Sequence, residues 1–200
     1  MDKKTIDTYN KMAKEYDDET IDFWDKFPST FFDKFINSVK GKVLDIGSGP
    51  GRDGLIIKEK GLDVICLDAS EAMVLLSKGN GLESVVGDLL NLPFPNESFG
   101  GAWAYTSLLH VPKKDINKAF TEINRILCKN GILGLGMIEG ETEEYRESSG
   151  VKLPRLFSFY SKEEIEFLLK KHGFKIIYFE TFKPGSKNYL NFIAKKIINL

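Results

Sequence analysis

The stretch "VLDIGSGPGRDG" (residues 43–54) runs from an apolar strand pattern directly into a glycine-rich turn. Gly47, Gly49 and Gly51 alternate through that turn, and an acid, Asp45, stands just ahead of them. Alternating glycines free the backbone for unusual φ/ψ angles and let it approach a ligand closely. A phosphate-binding P-loop is excluded, because that turn ends in Gly-Lys-Ser/Thr and this one does not. A dinucleotide fingerprint is harder to exclude. Gly49, Gly51 and Gly54 satisfy G-x-G-x-x-G, but two residues beyond the natural end of the strand, and in the register that begins at Gly47 the third glycine falls on Arg52. Asp45 would lie close to a bound pyrophosphate, where a carboxylate is disfavoured; beside a positively charged ligand it is better tolerated.

Outward from the turn, strand-like and helix-like patterns alternate, which predicts a parallel sheet flanked by helices. Strands are expected at 42–47, 63–68, 83–88, 101–106 and 132–138, with helices at 52–61 and 70–79 between them. Apolar residues at 116, 119, 120, 123, 126 and 127 predict a further helix over 113–131, ended by Asn130-Gly131. Ser161 and Glu164 form a capping box for a helix over 161–173. "FKIIYFETF" and "YLNFIAKKI", joined by "KPGSKN", close the chain as an antiparallel pair. The fold class is therefore α/β: a Rossmann-like doubly wound sheet, mostly parallel with an antiparallel C-terminal strand and helices on both faces. Two aromatic-rich helical segments, about 5–22 and 28–39, precede this pattern. They suit a cap over a sheet edge and a lid over a binding site equally. A single domain is expected, with a helical cap or lid at 1–40, a core at 41–138, and an insertion plus C-terminal strands at 139–200.

In such sheets ligands collect beyond the carboxyl ends of the strands. The informative residues are thus Gly47–Gly51, Asp68, Asp88 and Thr106–His110. Asp68 follows Gly47 by 21 residues at the end of the second strand, where a carboxylate accepts hydrogen bonds from both hydroxyls of a ribose. Asp88 lies 20 residues further on, placed to accept from an exocyclic amine. His110 suits a general base, and equally a histidine that orders the loop before Pro112; His172, beside Gly173 at a helix end, reads as structural. The segment 139–160 is long for a connector. Its Arg146, Lys152 and Arg155 suit an anionic ligand, and its Phe157, Phe159 and Tyr160 an apolar one.

Of the 200 residues 42% are hydrophobic and 28% charged, an ordinary globular balance. The net charge of −1 gives no basic excess of the kind a nucleic-acid reader carries, so no nucleic-acid partner is expected. Cys66 and Cys128 sit in apolar patterns and read as free thiols. No apolar run reaches membrane-spanning length and no signal-peptide core is visible, which predicts a cytoplasmic protein. No metal-ligand spacing stands out.

Taken together, "VLDIGSGPG", "VICLDAS", "VVGDLLNLPFPNESFG" and "AWAYTSLLHV" resemble the successive motifs of class I S-adenosylmethionine-dependent methyltransferases of the small-molecule type. The resemblance is close over residues 42–138 and looser to the end; "TYNKMAKEYDD" is similar to the lead-in of many members. It implies an enzyme that uses S-adenosyl-L-methionine, releases S-adenosyl-L-homocysteine and methylates a small molecule. By resemblance, Gly47, Gly49 and Gly51 pass beside the methionine part of the cofactor, with Asp45 near its amino group. Asp68 would hold the ribose, Ala69 and Met73 the adenine, and Asp88 and Leu89 the adenine edge. Thr106 would face the methionine moiety and the reaction centre, and Tyr9 and Tyr16 would close over the cofactor. The missing "NPPY"-type motif counts against the amino-methylating branches. "LLHV" and "LPFPNESFG" also resemble the quinone and sterol C-methylating branch. A non-catalytic cofactor-binding protein stays open, and so does an NAD(P) oxidoreductase, although Asp45 and the lack of a Tyr-x-x-x-Lys pair disfavour the latter.

Overall fold

Val43–Ile46, Val64–Asp68, Glu83–Val86 and Phe99–Tyr105 form strands β1 to β4, of which β1, β2 and β4 are mainly apolar and buried. The computed structural model describes residues 1–22 and 29–197. Three further strands, β5 (Leu127–Ile138), β8 (Phe174–Phe182) and β9 (Tyr189–Lys196), complete a seven-stranded sheet in the order β3-β2-β1-β4-β5-β9-β8. Strands β1 to β5 run parallel, and β9 is antiparallel to both of its neighbours. The chain leaves β1 on one side and returns from β3 to β4 on the other. The order therefore reverses between β1 and β4, the crevice where open sheets bind ligands.

Helices α4 (Arg52–Glu59), α5 (Glu71–Gly79), α6 (Ile116–Ile126) and α7 (Lys162–Lys171) connect the strands. Ser70 caps α5 by accepting from Met73 N–H, and Ser161 with Glu164 forms the capping box of α7. Helix α6 is shorter than the predicted 113–131. It stops at Ile126 because Leu127 pairs with Phe99 of β4, so 127–131 becomes strand. Asn130 takes a positive φ of 61° there, and the ladder skips register between Phe99 and Gly101. The segment 139–160 is also more ordered than a loop: β6 (Glu143–Arg146) and β7 (Arg155–Ser158) form an antiparallel hairpin.

Ahead of the sheet lie α1 (Lys3–Lys11), α2 (Ala13–Glu19) and α3 (Ser29–Ser38). Residue 28 of the predicted 28–39 segment lies outside the described residues. The three helices take two different positions. Phe31, Phe32 and Phe35 of α3 bury against Trp103 of β4 at ring separations of 4.7–5.2 Å, which makes α3 a cap. A fully buried Phe gains about 1.5–3 kcal/mol over an exposed one, so these rings fasten α3 to the sheet. Helices α1 and α2 instead lie across the strand ends, between α5 and β7, in the position of a lid. Among the described residues no helix is long and apolar enough to cross a membrane, and no cluster of ligand-type side chains is placed to hold a metal.

Candidate active site

The glycine turn is shaped by what lies against it. Gly47 has φ of 70°, and a Cβ there would stand 2.4 Å from the Ser107 Cβ, so the loop after β4 closes directly onto the backbone. Gly47 and Ser48 N–H groups both donate to the Leu67 carbonyl of β2. Gly51 serves a different purpose. Its missing Cβ makes room for Leu82 and Ser77, each 2.5 Å from where it would be, so it lets α4 and α5 pack rather than lining a cavity.

At the end of β2, Asp68 accepts from Gly49 N–H (2.9 Å) and Ser70 N–H (2.8 Å). Burial raises its carboxyl above the usual range against these hydrogen bonds, which pull it down. The carboxylate thus ties the turn after β1 to the cap of α5. It lines a small cavity of about 50 Å³ together with Gly47, Gly49, Ala69, Met73 and Leu89. Tyr9, Tyr16, Thr106 and His110 complete this wall among the predicted residues.

Three predicted contacts lie elsewhere. Asp45 does not reach the cavity: it is buried within the sheet, 3.9 Å from the Cys66 thiol, because its strand position directs it under α4 near Gly54. Burial first, then the nearby Asp53 and Asp68, push its carboxyl well up. Gly51 is consumed by helix packing, as above. Asp88 accepts from the Met1 amino group at 3.0 Å and from Leu90 N–H at 2.8 Å, and it is absent from the cavity wall.

A larger cavity of about 380 Å³ adjoins the first and shares Tyr9, Tyr16, Gly47, Gly49, Thr106 and His110 with it. Thr106 sits at the junction with φ of 51°, a strained conformation for a β-branched residue, held by a bond from its N–H to the Gly136 carbonyl. His110 is 6% exposed. Its Nδ1 lies 2.6 Å from the Leu156 carbonyl, which only accepts, so Nδ1 carries the proton. Nε2 of the neutral ring then accepts from the Tyr9 hydroxyl at 2.8 Å. Burial lowers the His110 pKa to about 4, so the ring is neutral at pH 7. Both nitrogens are engaged, and no free base faces the cavity while α1 is down.

Residues 44–135 match the family model described as a methyltransferase domain. That match spans a little under half of the chain and is consistent with the class I S-adenosylmethionine-dependent methyltransferases. Among relatives, an uncharacterised protein of Methanocaldococcus jannaschii is 24% identical and covers 96% of this chain and 90% of its own. A sterol 24-C-methyltransferase of Gibberella zeae is 33% identical, but over 47% of this chain and 27% of its own length. Among solved structures, a DhpI–SAH complex superposes with a TM-score of 0.79 at 18% identity, over 100% of both chains. At that identity it speaks for the fold.

Helix α1 is fastened on two sides. Asn10 Oδ1 accepts from Ser70 Oγ (2.8 Å) and Ala72 N–H (3.2 Å), on the side of α5. Thr5 Oγ1 accepts from Leu156 N–H (2.8 Å) and Thr8 Oγ1 donates to the Pro154 carbonyl (2.9 Å), on the hairpin side. Arg52 of α4 reaches Asp17 and Thr20 of the lid. Ser107, within the Thr106–His110 stretch singled out in the sequence, lines the smaller cavity. Sequence reasoning missed Lys187 and Glu19 as cavity residues, and nothing local marks either. Of the segment 139–160, Arg146, Arg155, Phe157 and Phe159 line the larger cavity, whereas Lys152 is exposed outside it and Tyr160 is buried.

Proposed function

We propose that this protein transfers a methyl group from S-adenosylmethionine to a small-molecule acceptor. The observation that carries the reading is the pair of adjoining cavities at the strand ends, with Tyr9, Thr106 and His110 in the wall between them. The residues present fit the cofactor. The turn at Gly47 leaves no space for a side chain, and Ser107 Oγ is buried without a hydrogen-bond partner beside it. Asp68 would hold the ribose; Ala69, Met73 and Leu89 would flank the adenine; Gly47, Gly49 and Thr106 would flank the methionine part. When bound, the cofactor supplies a methyl group on a positively charged sulfur, already activated for in-line displacement.

The chain's own contribution is mainly positional. Holding two reactants in line is worth effective molarities of about 10⁵ M or more. Tyr9 and Tyr16 of the lid exclude water from the junction, and Thr106 spends backbone strain to keep its place there. His110 acts through Tyr9, as a neutral acceptor that fixes the phenol's orientation. The similarity to a sterol C-methyltransferase supports a second reading with an apolar acceptor, consistent with Phe157 and Phe159 in the larger cavity.

Calorimetry tests the proposal. S-adenosylmethionine and S-adenosylhomocysteine should each bind with about micromolar affinity, about −8 kcal/mol, and NAD should give no heat. Tight NAD binding with no response to the sulfonium compound would overturn it.

A further inference from the structure

We propose that the acceptor cavity recognises an organic carboxylate with an aromatic or apolar body, and that Arg155 is the residue that receives its charge. The inference rests on the methyl-transfer reading above and names the acceptor class for the same site. Arg155, on β7, is 4% exposed, yet its guanidinium belongs to the wall of the 380 Å³ cavity. A volume of that size is within the range of small-molecule sites, about 300–1,000 Å³.

Its partners are all neutral. Nη1 donates to the Tyr9 hydroxyl at 3.3 Å and Nη2 to Ser148 Oγ at 2.8 Å, while Nε is buried with no partner. Among the described residues it makes no direct ion pair. The rings of Tyr9, Tyr16 and Phe157 surround it at 5.4–6.0 Å, which holds the guanidinium plane in place. A buried charge without a paired opposite charge costs several kcal/mol, and an anion bound at the fork removes that cost.

The acids that share the wall are committed elsewhere. Glu19 accepts from Ser148, Ser149 and Gly150; it makes no direct hydrogen bond to Arg155, whose charge it feels through space and across the shared Ser148 hydroxyl. Asp53 accepts from the Trp103 indole at 2.6 Å, and Glu147 stands exposed at the rim. Arg52, Arg146 and Lys187 stand in the same wall, Arg52 paired with Asp17 and Arg146 with Glu144. Partial burial first, and then the neighbouring Arg155, hold the Lys187 ammonium below its ordinary value, with Glu19 acting in the opposite sense. Aromatic side chains make up much of the remaining lining, with Phe157, Phe159 and Tyr189 in the same wall. The body of the acceptor therefore meets apolar faces.

Benzoate and phenylacetate, each against its neutral amide, serve as probes on wild-type protein saturated with S-adenosylhomocysteine. Each acid should bind at least tenfold more tightly than its amide. Arg155→Met should abolish that preference and Arg155→Lys should restore part of it, with S-adenosylhomocysteine affinity unchanged within twofold in both. Equal binding of acid and amide to wild-type protein that holds S-adenosylhomocysteine would overturn the proposal and leave methyl transfer standing. A preference that survives Arg155→Met would also overturn it. So would a tenfold or greater loss of S-adenosylhomocysteine affinity in that variant, since Arg155 would then serve the methionine carboxylate. Failure of wild-type protein to bind S-adenosylhomocysteine would instead sink the methyl-transfer reading itself. The wild-type acid-against-amide comparison decides the matter even where a variant fails to fold.

Discussion

His110→Asn should remove a specific part of the protein's sensitivity to acid. The imidazole is buried neutral, with Nδ1–H on the Leu156 carbonyl and Nε2 on the Tyr9 hydroxyl. Its folded pKa is lowered to about 4 from an ordinary 6.5 by burial. The unfolded chain thus takes up a proton from pH 6.5 downward, whereas the folded chain does so only near pH 4. Stability from this group is complete above the unfolded value and is lost as pH falls toward the folded one. Integrated from pH 7 to pH 5, the loss is about 2 kcal/mol, and it levels off below pH 4 at about 3 kcal/mol. Asparagine keeps a donor for Leu156 but does not titrate. Urea unfolding of both forms at pH 7 and pH 5 checks the reasoning, because the shifts of Asp45 and Asp68 cancel in the comparison. The stability gap between the two forms should move by about 2 kcal/mol over that window. A gap that stays constant would refute the buried neutral assignment. By the same logic no acidic limb from His110 should appear in turnover above about pH 5, and kcat in the variant should fall less than about tenfold, short of the 10²-fold typical of a lost general base.

Asp68→Ala should weaken S-adenosylmethionine binding by about 2–4 kcal/mol in calorimetry. It should also cost the ligand-free fold about 1–3 kcal/mol, because Gly49 and Ser70 N–H groups lose their acceptor; normal affinity in the variant would make Asp68 purely a turn residue. Thr106→Gly should raise or preserve thermal stability by relieving the positive φ while lowering kcat. A clear loss of stability would show that the threonine side chain, not strain at the junction, matters there.

The sheet was legible because each parallel strand buries both faces, so β1, β2, β4 and β5 read as nearly continuous apolar runs. Asp68 was legible for the same reason, as the polar residue that ends such a run. The end of α6 was not. Leu127 fits the helical apolar period, and what stops the helix is a ladder partner, Phe99, that no local pattern announces. Asp45 misled because charge suggested a ligand, while its place inside β1, between strands, dictates burial. The hairpin β6–β7 escaped because its pattern is weak: three of the four β6 residues are exposed.

The least legible part is the α1–α2 segment laid across the strand ends. Its aromatic content hinted at a cover, but its attachments run through side-chain contacts to distant backbone, such as Thr5 to Leu156 and Thr8 to Pro154, which leave no periodic trace. Those contacts place Tyr9 between His110 and Arg155, residues 101 and 146 positions away in the chain. Tyr9 itself lines both cavities, so a single phenol of α1 stands in the partition between them, placed by two hydrogen bonds to distant residues rather than by any local sequence pattern.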